Sequence, residues 1–229
     1  MVKYFMNCPY CNYNRVYELN TGQNKCAKCL KKFSLKKINR DKNIIDAFCE
    51  NKSVNRCSKE LKINYLTVKK RYDFFRVLIA NYLEDEYNSY PVDEYDEYIY
   101  LPKSKKKVPE NIFDSQNFLT FNYNTTQIYN LLMPNLNKYK EQFLDDGLDK
   151  TYFNEFSKFM MFNKIAKTAK RENTITRFWN YFEDSIVKYK GIDNGNFIYY
   201  LKECEFKFNY TKEEAKEILA SLLKKNLHL

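Results

Sequence analysis

The chain has 229 residues, 44% hydrophobic and 30% charged, with a formal net charge of +10. The apolar share is enough for a sizeable core, which excludes wholesale disorder, and no apolar run approaches the ~18 residues that a membrane-spanning helix needs. The charge is concentrated: residues 1–83 hold 18 Lys and Arg against 6 Asp and Glu, and residues 84–229 hold 21 against 23. A basic head on a near-neutral body points to a polyanionic partner, nucleic acid first. An anionic membrane would call for an apolar amphipathic face beside the charge, and none is evident. The opening MVKYFMNCPYC has no apolar core of a secretory signal. Seven cysteines, an odd number, argue against a disulfide framework. The expected setting is therefore reducing and cytoplasmic.

Residues 1–40 carry C-P-Y-C at 8–11 and C-A-K-C at 26–29. Two C-x2-C turns offer four thiolates, the number that closes a tetrahedral zinc site. The expected ligands are Cys8, Cys11, Cys26 and Cys29, holding a structural Zn²⁺. Between the pairs, 14–19 alternates like a strand, Thr21-Gly22 makes a turn, and 31–35 supplies a returning strand. This pattern is a zinc ribbon. Cys49, Cys57 and Cys204 fall in helical patterns and read as small core residues.

Residues 41–83 form a second module. Ile44, Ile45 and Phe48 share one face of a first helix. Ser53 is a good N-cap for a second helix ending at Leu61, and Asn64 caps a third. In the third, Tyr65, Val68, Tyr72, Phe75, Ile79 and Tyr82 recur at steps of three and four, one apolar stripe. Thr67, Lys69, Lys70 and Arg71 occupy the other face. Three helices ending in a basic one describe a helix-turn-helix, whose last helix fits a major groove of double-stranded DNA.

Residues 84–229 form the third module, opening with the acidic run EDEYNSYPVDEYDEY. Strands are expected at 98–101, 117–123 and 127–133, and Phe143-Leu144 leads into the acidic turn DDGLDKTY. Helical patterns follow at 175–190, 197–208 and 212–227. Strands followed by helices, with acidic residues at strand ends, give an α/β fold of ribonuclease-H-like type.

The stretch RENTITRFWNYFEDSIVKYKGIDNGNFIYYLKECEFKFNY at 171–210 resembles the C-terminal core of small bacterial insertion-sequence transposases. Their pattern runs H-x-N-x-I-E-x-F-W, a helix, a K-x-x-G-like turn, and a helix ending in L-K-E-C-E-x-R-F-N. These proteins also begin with a zinc ribbon and a helix-turn-helix, and place D-E-x-Y and D-G motifs ahead of the core. DEYIYLPKSKKK at 96–107 is similar to the first motif and LDDGLDKTY at 144–152 to the second. The family is the insertion-sequence fifteen-ninety-five group, with an integrase-type DDE domain, and the resemblance runs in order along nearly the whole chain.

The resemblance implies a transposase that binds element-end DNA and catalyses metal-dependent strand cleavage and transfer, as a multimer on the bacterial nucleoid. Asp96, Asp146 and Asn173 are the implied catalytic ligands of Mg²⁺ or Mn²⁺, in a two-metal scheme. Val92-Asp93-Glu94 competes with Asp96-Glu97 for the first position, and Glu203 is a further carboxylate to weigh. The chain departs from the pattern at Arg171, Thr176, Glu183 and Leu101-Pro102, where the family has histidine, glutamate, lysine and a glycine pair. A transposase-derived DNA-binding regulator with a worn core is therefore the alternative function.

Overall fold

The computed structural model describes residues 7–87, 89–102, 105, 109–134, 173–189, 192 and 195–226. The described strands are β1 (Val16–Glu18), β2 (Asn24–Cys26), β3 (Lys32–Phe33), β4 (Val92–Tyr100), β5 (Gln116–Tyr123) and β6 (Gln127–Met133). The described helices are α1 (Leu35–Cys49), α2 (Val54–Leu61), α3 (Tyr65–Tyr87), α4 (Thr174–Ile186), α5 (Phe197–Asn209) and α6 (Lys212–Asn226). The chain thus combines helices with antiparallel sheets. It divides into two compact units, Met1–Ile79 with Tyr210–Leu229, and Ala80–Asn209.

In the first unit β1, β2 and β3 pair antiparallel in that order. The turn between β1 and β2 carries Gly22 at φ +72°, a left-handed geometry that glycine takes without steric cost. The returning strand is shorter than the sequence suggested, because Ser34 caps a helix one residue after Phe33. Its side chain accepts from the Lys37 N–H, and α1 begins at Leu35. Ser53 caps α2 by accepting from the Arg56 N–H, and Lys62 ends it at φ 53°. Asn64 then accepts from the Leu66 N–H at 2.9 Å, starting α3 after a three-residue turn.

Val68, Tyr72, Phe75 and Ile79 form the buried stripe of α3 in this unit, with Ile44, Ile45 and Phe48 from α1 also buried. Phe48 meets Tyr72 and Phe75 edge to face, an arrangement that favours the ring quadrupoles. Tyr65, at the first position of α3, is 47% exposed and falls outside the stripe. Helix α6 packs on α1, and Lys216 reaches Asp46 and Glu50 at 3.6 and 3.7 Å.

In the second unit β4, β5 and β6 form an antiparallel sheet in that order. Strand β4 begins at Val92, six residues before its expected start, and carries a register shift between Val92 and Glu94. Phe118 and Ile128 of the sheet bury against Phe178, Trp179 and Phe182 of α4 and Phe197 and Leu201 of α5. A polar chain runs through this core. The Trp179 indole N–H donates to Thr120 Oγ1 at 3.0 Å, and that hydroxyl donates to Asn130 Oδ1 at 2.8 Å. The Asn130 backbone and side-chain N–H groups both donate to Glu205. The Asn209 carboxamide both accepts from and donates to the Ile128 backbone, satisfying strand groups with a side chain. The expected strand at 143–144 and the DDGLDKTY turn lie outside the described residues.

Candidate metal centre and active-site face

The four cysteines predicted as ligands converge. Their sulfur atoms all lie within 4.8 Å of one another, with Cys8 and Cys29 at 3.6 Å and Cys11 and Cys26 at 3.5 Å. Zinc–sulfur bonds of about 2.3 Å in a tetrahedron put sulfurs roughly 3.8 Å apart, so the set fits a metal such as zinc. None of the seven cysteines is in a disulfide.

Each C-x2-C pair is folded in the same way. The residue after the second cysteine, Asn12 in one turn and Leu30 in the other, sits at positive φ, 54° and 59°. That bend lets Asn12 N–H bond to the Cys8 carbonyl and Leu30 N–H to the Cys26 carbonyl. Backbone N–H groups of Tyr10 and Lys28 point at the sulfurs of Cys8 and Cys26, at 3.4 and 3.3 Å. Burial raises the Cys26 thiol, but the N–H groups of Cys29 and Lys28, helped by neighbouring thiols, outweigh it and bring the group down to about 6. At Cys29 the Lys31 N–H lowers the value, while burial and the thiols of Cys26, Cys11 and Cys8 drive it up to about 12.

The residues predicted for DNA contact separate into two kinds. Lys70 is exposed and Thr67 half-exposed. Lys69 is exposed and pairs with Asp73 one turn on, at 3.0 Å. Arg71 is turned inward. Its guanidinium meets Asp41 of α1 at 2.8 Å, with the two side chains 19% and 10% exposed. It ties α3 to α1.

On the sheet of the second unit, Asp96 is exposed on β4 opposite Thr120. Its Oδ1 accepts from the Glu97 N–H at 2.8 Å. Asn173 is the N-cap of α4: its Oδ1 accepts from the N–H and the hydroxyl of Thr176, at 2.8 and 2.9 Å. Its Nδ2 donates to Glu94 at 2.9 Å. Glu94 and Asp96 are two apart on one strand and share a face, so the start of α4 lies at the face that carries Asp96. Asp146 lies outside the described residues, as does Arg171.

The competing carboxylates are engaged elsewhere. Asp93 accepts from the Thr125 N–H in the turn between β5 and β6. Glu203 is buried and accepts from the Tyr189 hydroxyl and the Lys207 ammonium. Glu183 accepts from the Tyr98 hydroxyl at 2.9 Å, and burial followed by that carboxylate holds the phenol above its usual range. The sequence reading missed two residues of this face. Glu94 entered only as a neighbour of Asp93 in the Val92-Asp93-Glu94 segment, with no contact of its own foreseen. Asn122, opposite Glu94 in the register, has a buried carboxamide oxygen with no hydrogen-bond partner among the described residues. Only a cross-strand register reveals it.

No protein-family model matches the chain, and no solved structure matches it. A protein of Haemophilus influenzae described as an "uncharacterized transposase-like protein" is 36% identical over 76 residues. The match covers 32% of this chain and 62% of that protein, less than two thirds of its length. Among the described residues no helix is long and apolar enough to cross a membrane.

Proposed function

We propose that the chain is a transposase: residues 1–40 a zinc ribbon, 41–83 a helix-turn-helix that binds element-end DNA, and 84–229 a ribonuclease-H-like DDE domain. The observation that carries this reading is the Asn173–Glu94 hydrogen bond, which joins the start of α4 to the Asp96 face of β4. Two of the three implied catalytic positions thereby fall on one side of one sheet. Three antiparallel strands with two helices against them, and the likeness to a transposase-like protein, support the same reading.

Asp96, with Asp146, would hold the divalent ions, which supply charge for activating a hydroxyl and stabilising a leaving oxygen in phosphoryl transfer. Asp96 fits as a hard, solvent-facing oxygen donor. The exposed cations Lys69 and Lys70 and the hydroxyl of Thr67 would face DNA. Arg71 would position the helix through Asp41 rather than touch the duplex. Self-association on two DNA ends belongs to the same proposal.

A second reading is a DNA-binding protein derived from a transposase. Asn173 favours it, since its carboxamide oxygen, the atom a metal would need, is already used in capping α4 through the N–H and hydroxyl of Thr176. One assay separates the two. With Mn²⁺ and the element's own terminal repeats, the transposase cleaves strands and Asp96→Ala and Asp146→Ala abolish cleavage. Specific binding of the repeats without cleavage by the wild type selects the regulator. Cleavage that survives both substitutions removes the two-metal mechanism.

A further inference from the structure

The four-cysteine head has a second charged surface, distinct from α3. Residues 7–40 hold eight Lys and Arg and a single acidic residue, Glu18. The strand register sorts them. Tyr17 of β1 stands opposite Lys25 of β2, and Lys25 stands opposite Lys32 of β3, so the three side chains form one row across the sheet. Their sequence neighbours Val16, Cys26 and Phe33 occupy the other face, where Cys26 and Phe33 are buried beside Cys8. Glu18 neighbours Tyr17 on the strand and so falls on the face away from the row. The row is therefore an aromatic ring followed by two cations, with no carboxylate among them. Tyr17 is 58% exposed.

We infer that this row is a binding platform for an unpaired DNA strand, a base stacking on Tyr17 while Lys25 and Lys32 take consecutive phosphates. The inference rests on the DNA-binding reading above and extends it to a second surface. Two features choose the occupant. The cations on one strand-wide row match a polyanion that runs across the strands. The exposed ring matches a base with a free face, which a stacked duplex does not offer along its length and an unpaired strand does.

The test uses the full-length, metal-loaded protein and two labelled probes, oligothymidylate and a blunt duplex, titrated by fluorescence anisotropy at several salt concentrations. Tyr17→Ala is expected to weaken oligothymidylate binding by about 5- to 150-fold, and to leave duplex binding within about twofold, because phosphate contacts dominate there. Tyr17→Phe keeps the ring and should keep the affinity. The double variant K25Q/K32Q should lower the salt slope on oligothymidylate by about 1.4. Zinc content equal to wild type verifies that each variant remains folded. The inference is overturned if Tyr17→Ala leaves oligothymidylate binding unchanged, or weakens both probes alike. If the wild type binds the duplex but Tyr17→Ala has no selective effect, only the platform fails. If the wild type binds neither probe, the DNA-binding reading fails with it.

Discussion

Lys202 and Glu205, three residues apart on α5, form an ion pair at 2.9 Å in the interior of the second unit. Burial pushes the Lys202 ammonium down and the Glu205 carboxyl up, each toward its neutral form. The pair survives because its remaining valences are filled: two N–H groups of Asn130 bond to Glu205, and Lys202 lies 3.4 Å from the centre of the Tyr129 ring. Removing one partner strands the other. Glu205→Ala should destabilise the second unit by about 3–5 kcal/mol, and the double variant K202M/E205L should recover most of that. Urea unfolding followed by Trp179 emission measures both, and equal losses in the single and double variants would refute the pairing argument.

Metal removal should act selectively. Trp179, the single tryptophan, is buried in the second unit, whereas the four thiols stand in the first. Purified protein should contain one zinc per chain, and Cys26→Ser should lose it. Chelation should collapse the fold of residues 7–33, since a structural zinc site is formed with the fold it holds. Trp179 emission should hardly move. A red shift of that emission on chelation would mean that the metal supports more than its own module.

Leu30 is 63% exposed and sits at φ 59°. A side chain in the left-handed region costs about 1–2 kcal/mol, and glycine there removes that strain at a smaller entropic cost. Leu30→Gly should therefore raise the stability of the metal-loaded head by up to about 1 kcal/mol. Thermal unfolding of the zinc-bound protein tests this, and a lower midpoint would show that Leu30 makes a contact worth more than the strain.

The α3 cations should divide by role. Lys70→Gln should lower the salt slope of duplex binding by about 0.9, one phosphate contact, with stability unchanged. Arg71→Met leaves the largely buried Asp41 with only the longer 3.5 Å contact to Arg40 and should cost about 1–3 kcal/mol of stability. If instead Arg71→Met keeps full stability and flattens the salt slope, Arg71 faces the duplex and the Asp41 pair is incidental.

Helix α6 begins with a capping box. The Thr211 N–H and hydroxyl both donate to Glu214 at 2.8 Å, and the Glu214 N–H donates to the Thr211 hydroxyl at 3.3 Å. The Thr211 N–H, then its hydroxyl, hold the Glu214 carboxyl below its ordinary value of 4.5. A carboxyl lowered by folding contributes stability above its unfolded value and loses it as pH falls through the folded one. Glu214→Gln should thus be less stable than wild type at neutral pH, with the difference shrinking below about pH 4.5. Thermal unfolding across pH 3–7 measures it, and a difference independent of pH would discard the charged cap.

The four-cysteine cluster, the caps Ser53 and Asn64, and most of the α3 stripe could be read from the chain. Each depends on residues a few positions apart, where spacing alone fixes geometry. The ends of elements were less legible. Strand β4 starts within an acidic run that carries no alternating apolar pattern, because its first residues are exposed on both faces. The packing of α6 on α1 and the inward turn of Arg71 join residues 30 to 170 positions apart, and no local pattern encodes such a pairing.

The motif L-K-E-C-E at 201–205 makes the same division plain. The sequence alone placed these residues on a helix and gave them a resemblance to a transposase pattern. Only the tertiary structure decided their work. Lys202 and Glu205 neutralise each other inside the core, and Glu203 takes the Lys207 ammonium and the Tyr189 hydroxyl. A charge can be buried only where its partners are brought to it. For Glu205 those partners include a strand 75 positions upstream, which the sequence lists and only the fold delivers.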